Sequence, residues 1–129
     1  MVYTSGTTGN PKAVRHSHNT LAKAMDNGVI AWGLDERDMM LMPSPVTHVT
    51  GYVNGIELPF FTDTKVLLME SWVVSRAVEL IETHHATTCV SATPFLRELV
   101  DACRDQGKDL PSLSLIHISE PTRPRLISY

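Results

Sequence analysis

The residues from Thr4 to Lys12, Thr-Ser-Gly-Thr-Thr-Gly-Asn-Pro-Lys, are the ones whose types and spacing could do chemistry. Thr4, Ser5, Thr7 and Thr8 carry hydroxyls, and Gly6 and Gly9 let the backbone bend tightly and come close to a ligand. Exposed N–H groups in such a loop form an anion-binding concavity, and the hydroxyls add donors around a polyphosphate. Lys12 supplies positive charge. Pro11 fixes its own φ, so the lysine leaves the loop on a stiff exit. The chemistry on offer is phosphate binding and charge stabilisation, without a general acid or base.

A Walker loop, G-x-x-x-x-G-K-[ST], has the same six-residue step from its first Gly to its Lys as Gly6 to Lys12 here. The flanks differ. Pro11 stands where the second Gly belongs, and Ala13 where Ser or Thr would hold Mg²⁺, so the P-loop NTPase reading is excluded.

The stretch Tyr3 to Val14 resembles the nucleotide loop of the adenylate-forming enzymes, roughly Y-T-S-G-T-T-G-x-P-K-G-V, departing from it only at Ala13, where Gly is usual. These are the acyl-CoA synthetases, the adenylation domains of peptide synthetases, and the luciferases. The resemblance implies ATP, Mg²⁺ and coenzyme A. A carboxylate attacks the α-phosphorus of ATP, pyrophosphate leaves, and a thiol then displaces AMP from the acyl-AMP. It gives Thr4, Ser5, Gly6, Thr7, Thr8, Gly9 and Lys12 to the phosphates. Pro45-Val46-Thr47-His48-Val49-Thr50-Gly51 is similar to the family segment whose ring lies beside the carboxylate substrate, which makes His48, with Gly51, Tyr52, Gly55 and Ile56, the candidate acyl pocket. Two glycines would leave room for bulk, as in ligases of cyclic or medium-chain acids. No complete catalytic set is expected: the family's later Gly-rich loop, its Mg²⁺-associated Glu, its ribose-binding Asp and its C-terminal Lys are not among these residues. An adenylation domain loading an amino or aryl acid onto a carrier protein, and a non-catalytic nucleotide-binding remnant, stay open as alternatives.

Other polar clusters promise less. His16 and His18, two apart, splay on a strand or turn and make a poor metal pair. His84 and His85 end a helix and suit its last carbonyls. Asp35, Glu36 and Asp38 belong to a solvated connection. Cys89 and Cys103, without C-x-x-C spacing, are expected to be reduced core thiols. No metal site is expected.

The elements that must position these residues follow from patterning. Tyr3–Ser5 and Ala13–His16 read as strands around the loop. Ser17 or Asn19 caps a helix to Trp32, with Leu21, Met25, Val29 and Trp32 on one face. Met39–Met42, bounded by Pro43 and Pro45, reads as a buried strand. A helix follows over 51–61, with Pro59 ending or kinking it. Lys65–Met69 is a strand, Ser75–His85 an amphipathic helix with Val78 and Ile81 inward, and Ala86–Ser91 a strand. Thr93 offers a capping hydroxyl and Pro94 a helix start. That last helix carries Phe95, Leu96, Leu99, Val100 and Cys103 on one face and closes near Gly107. The alternation predicts an α/β fold, part of a mainly parallel sheet layered with helices.

Composition is that of one ordinary globular domain: 129 residues, 43% hydrophobic and 19% charged. A net charge of −3 gives no sequence-wide attraction to nucleic acid. No apolar run approaches the roughly 18–20 residues that span a bilayer, so no transmembrane segment and a cytoplasmic setting are expected. The chain reads as a piece of a longer protein, with residues 1–113 a partial AMP-binding domain. Residues 114–129, from Ser-Leu-Ile-His-Ile-Ser-Glu-Pro-Thr-Arg onward, resemble a translated sequencing-library adapter and are expected to be a disordered tail outside the fold.

Overall fold

The structure, a computed structural model, describes residues 2–4 and 10–118. β1 (Val2–Thr4) and β2 (Lys12–Val14) form an antiparallel hairpin in which Thr4 stands opposite Lys12. The second strand begins one residue earlier and ends two residues sooner than patterning suggested. α1 (His18–Trp32) is capped by Ser17, whose hydroxyl accepts from the Thr20 amide at 3.2 Å while the Ser17 amide donates to the Thr20 hydroxyl at 3.0 Å. This is a capping box with threonine in the place of the usual Glu or Gln. Met25 is buried, with Leu21, Val29 and Trp32 packed beside the same core, as the spacing predicted.

The connection that follows is polar except for Leu34, which the core takes in. β3 (Met39–Met42) is the centre of a parallel sheet, and Met40, Leu41 and Met42 have no exposed surface. Next comes one continuous helical run in three parts: α2 (Val49–Tyr52), a π turn (Val53–Glu57) and α3 (Leu58–Thr62). The helix neither ends nor breaks at Pro59. Proline has no N–H to donate to the carbonyl of Gly55 and its ring crowds that carbonyl, so the turn before it widens. The Leu58 amide accordingly bonds Val53 O, five residues back. β4 (Lys65–Leu68), α4 (Val74–His84), β5 (Thr88–Ser91), α5 (Thr93–Gln106) and β6 (Leu115–Ile118) complete the order.

The sheet runs β4-β3-β5-β6, with every pair parallel. Period-two alternation sends Met40, Met42 and Val90 to one face, with Met25, Leu34 and Leu58. Leu41 and Cys89 go to the other, with Ala77, Val78 and Ile81 of α4 and Leu96 and Leu99 of α5. Both faces are covered, as a parallel sheet requires. Burial pushes the Cys89 thiol up to about 12, and both cysteines are unbridged.

Two expectations need correction. Thr93 is the first residue of α5 rather than its cap. Ala92 holds the cap position, and no side chain caps this end. Val100 is 50% exposed, outside the face formed by Leu96 and Leu99. Within the segment expected to be a tail, Leu115–Ile118 pairs with β5 from Thr88↔Leu115 to Ser91↔Ile118. Leu-Ile-His-Ile is rich in β-branched residues and lies beside an open parallel edge, which is sufficient reason for it to pair.

Candidate functional site

From β3 the chain passes first to β4 on one side and later to β5 on the other, so the order reverses between β3 and β5. In open α/β sheets the crevice outside the carboxyl ends of the strands at such a reversal is where ligands bind. The loop leaving β3 supplies Val46, Thr47 and His48 to a cleft of about 610 Å³. Its other walls come from Tyr3 of the hairpin, His16, Ser17, His18 and Leu21 at the start of α1, and Val49, Tyr52 and Glu57 of the helical run.

His48 caps α2. Its Nδ1 accepts from the Thr50 amide at 3.3 Å, so the neutral ring carries its proton on Nε2. That fixes which nitrogen can donate to a ligand oxygen. The backbone bond from the Tyr52 amide to His48 O, 2.9 Å, seats Tyr52 one turn further along. The Tyr52 hydroxyl donates to Oε1 of Glu57, and the carboxylate it faces raises the phenol above its ordinary value.

Gly51 and Gly55 are placed differently. Both are buried and neither lines the cleft. A Cβ on Gly51 would lie 2.1 Å from Pro45 O and 2.5 Å from Ser44 O, so its missing side chain lets the helix lie on the backbone of the loop that leaves β3. A Cβ on Gly55 would meet Leu68 Cδ2 at 2.9 Å and Met42 Cγ at 3.1 Å, which seats the π turn on β3 and β4. Ile56, half-buried, is likewise not on the cleft wall.

Of the residues expected to bind phosphate, Ser5, Gly6, Thr7, Thr8 and Gly9 lie outside the described residues. Thr4 and Lys12 are brought together by the hairpin register. Lys12 is exposed. His16, His18 and Glu57 reach the cleft although their spacing gave no sign of it, since tertiary folding alone brings the first turn of α1 to the loop after β3. Among the described residues no group of three His, Cys, Asp or Glu could hold a metal ion, and no helix is long and apolar enough to cross a membrane. Ser91, at the carboxyl end of β5, is fully buried with a hydroxyl that has no hydrogen-bond partner among them.

A parallel α/β sheet, with a cleft walled by the loop leaving its central strand and by the hairpin that flanks a hydroxyl- and glycine-rich sequence, defines an α/β protein with a candidate ligand site beyond the carboxyl end of β3. The sequence profile of the AMP-binding enzymes matches residues 1–128, and the chain belongs to that family. It is 28% identical over 128 residues to the medium-chain fatty-acid–CoA ligase of Escherichia coli (strain K12), covering 99% of this chain and 23% of that one. A long-chain-fatty-acid–CoA ligase from Archaeoglobus fulgidus superposes with a TM-score of 0.80 at 26% identity, over 97% of this chain and 25% of that one. The N-terminal domain of FACL13 from Mycobacterium tuberculosis, solved with an inhibitor bound, gives 0.81 at 24% identity over 98% and 32%, a likeness of fold. The chain therefore spans about a quarter of the length of the first curated relative.

Proposed function

We propose that the chain is a piece of an ATP-dependent acyl-CoA synthetase acting on a medium-chain or cyclic carboxylic acid. The observation that carries this reading is the shared cleft: Tyr3, next to Thr4 in the hairpin that closes the phosphate loop, and His48, at the acyl position, line one cavity. In this reading the carboxylate end of the reaction lies in the cleft beside His48, and the nucleotide end at the loop into which Tyr3 leads.

In this reading the substrate carboxylate oxygen bonds to the α-phosphorus of ATP as the bond to pyrophosphate breaks. Coenzyme A then attacks the acyl carbon through sulfur and AMP leaves. The loop's hydroxyls and N–H groups, with Lys12, stabilise negative charge moving onto pyrophosphate, a positioning and electrostatic role. His48 donates from Nε2 to an oxygen of the acyl group. The family likeness implies Mg²⁺, which in this reading would enter with the nucleotide, held largely by its phosphates. Similarity to a medium-chain ligase supports the substrate class.

Isothermal titration of the 129-residue chain with ATP tests the phosphate half. Binding is expected, and Lys12→Ala should weaken it by about 2 kcal/mol, the value of a hydrogen bond to a charged group. No binding by the unaltered chain, or binding indifferent to Lys12→Ala, refutes the assignment.

A further inference from the structure

The cleft contains a side-chain bond that exists because of the π turn. Along an α-helix residues step by about 100°, so positions five apart sit about 140° from each other and cannot meet. In a π turn the i→i+5 bond brings them onto one face. Tyr52 immediately precedes the π turn and Glu57 is its last residue, and their side chains are hydrogen bonded. Both line the cleft with His48. Pro59 and the contact of Gly55 with Met42 and Leu68 hold the turn in this form.

We propose that Glu57 is a positioning residue for acyl specificity: through the π turn it latches the Tyr52 ring across the cleft beside His48, and the latched ring sets the largest acid the site accepts. The proposal rests on the acyl-CoA synthetase reading and deepens it. The Tyr52 backbone is held in the helix by its amide bond to His48 O, and with its hydroxyl held by a carboxylate the side chain has lost the rotamer freedom by which it could swing aside. Without the carboxylate the ring rotates out, and the space it covered becomes available to bulkier or longer chains.

The test uses the full-length ligase that contains this chain, with a series of straight-chain carboxylic acids in acid-dependent ATP–pyrophosphate exchange. Glu57→Ala should raise the kcat/KM ratio of the longest accepted acid over the shortest by roughly tenfold, the value of one or two methylenes in an apolar pocket, with the change in KM. Tyr52→Ala should do the same, and the double variant should add nothing to either. Glu57→Gln keeps an acceptor and should restore most of the original preference. A ratio unmoved by Glu57→Ala while Tyr52→Ala moves it overturns the latch, and so does a double variant that equals the product of the singles. A second readout is independent of activity: in the 129-residue chain the NMR-assigned Tyr52 phenol should titrate lower in Glu57→Ala than in the unaltered protein. An unchanged titration overturns the bond. A wild-type enzyme that adenylates no acid removes the ligase reading, and the specificity role falls with it, whereas an active enzyme with an unmoved ratio refutes the latch alone.

Discussion

The two faces of the sheet are built differently. On one, α4 and α5 are unbroken amphipathic helices that bury Ala77, Val78, Ile81, Leu96 and Leu99 against Leu41 and Cys89. On the other, α1 buries Met25, and the helix after β3 changes from α to π and back within 14 residues, Val49 to Thr62. The cleft residues His16, His18, His48, Tyr52 and Glu57 all belong to the second face. Regular helices maximise buried apolar area. The irregular face gives up some of that area, and in return turns polar side chains toward a common space that a straight helix would spread around its circumference.

If the regular face carries the stability, its core should be the most costly place to cut. Ile81, fully buried, makes Ile81→Ala the largest effect: a loss of about 2–5 kcal/mol in urea unfolding. ATP binding per folded molecule should stay as it was. An equal fall in both would show that the two faces are not separable.

The glycines of the irregular face sharpen the contrast, because two of them should respond with opposite sign. Gly51→Ala drives a Cβ into Pro45 O at 2.1 Å, and backbone cannot give way cheaply, so stability should drop by about 1–3 kcal/mol while the loop carrying His48 shifts. Gly28 lies in α1, where an added Cβ would meet the Trp32 ring no closer than 3.5 Å. Gly28→Ala should therefore stabilise by about 1 kcal/mol through helix propensity. Thermal unfolding of both variants checks the pair; a stabilising Gly51→Ala would mean that the contact with the loop is not tight.

The same contrast decides what could be read in advance. β3 was legible because four apolar residues stand before Pro43, and α4 because Val78 and Ile81 recur at helical spacing. The strands of the hairpin follow from patterning, whereas the expectation that the loop between them and the β3 exit serve one site rests on the likeness of Tyr3–Val14 and Pro45–Gly51 to a known family. The π turn was not legible. It results from Pro59 and from the fit of Gly55 over Met42, and no local code records a strand several residues away. The role of Glu57 is hidden in the sequence for that reason, since its spacing from Tyr52 excludes contact in an ordinary helix. Gly51 and Gly55 show a second limit: a missing side chain can make room for a ligand or for the protein's own chain, and composition does not distinguish the two. β6 lies in residues 114–129, where the likeness to an adapter and the β-propensity of Leu-Ile-His-Ile point different ways.

The smallest expected effect is at the joint between the two faces, where α1 hands the chain to β3. Asp35 accepts from the Arg37 amide at 2.9 Å and pairs with its guanidinium, and its carbonyl accepts from the Thr64 hydroxyl at 3.3 Å, tying the joint to the start of β4. The Arg37 side-chain hydrogen bonds, before any other cause, hold the Asp35 carboxyl at about 2. An unfolded Asp titrates near 3.9, so the folded state binds its proton less readily. The pair's contribution is therefore fully present above about pH 4 and fades as pH falls toward 2. Both groups are solvent-exposed, which keeps the effect small and salt-sensitive. A carboxyl NMR titration should place the Asp35 midpoint near 2 and return it to the ordinary carboxylate range in Arg37→Ala. The two proteins should differ slightly in stability at neutral pH and converge in acid. A midpoint unmoved by Arg37→Ala would dissolve the pair. A difference that persisted at pH 2 would show that Arg37 steadies the joint by packing its stem, which would make the link between the faces mechanical rather than electrostatic.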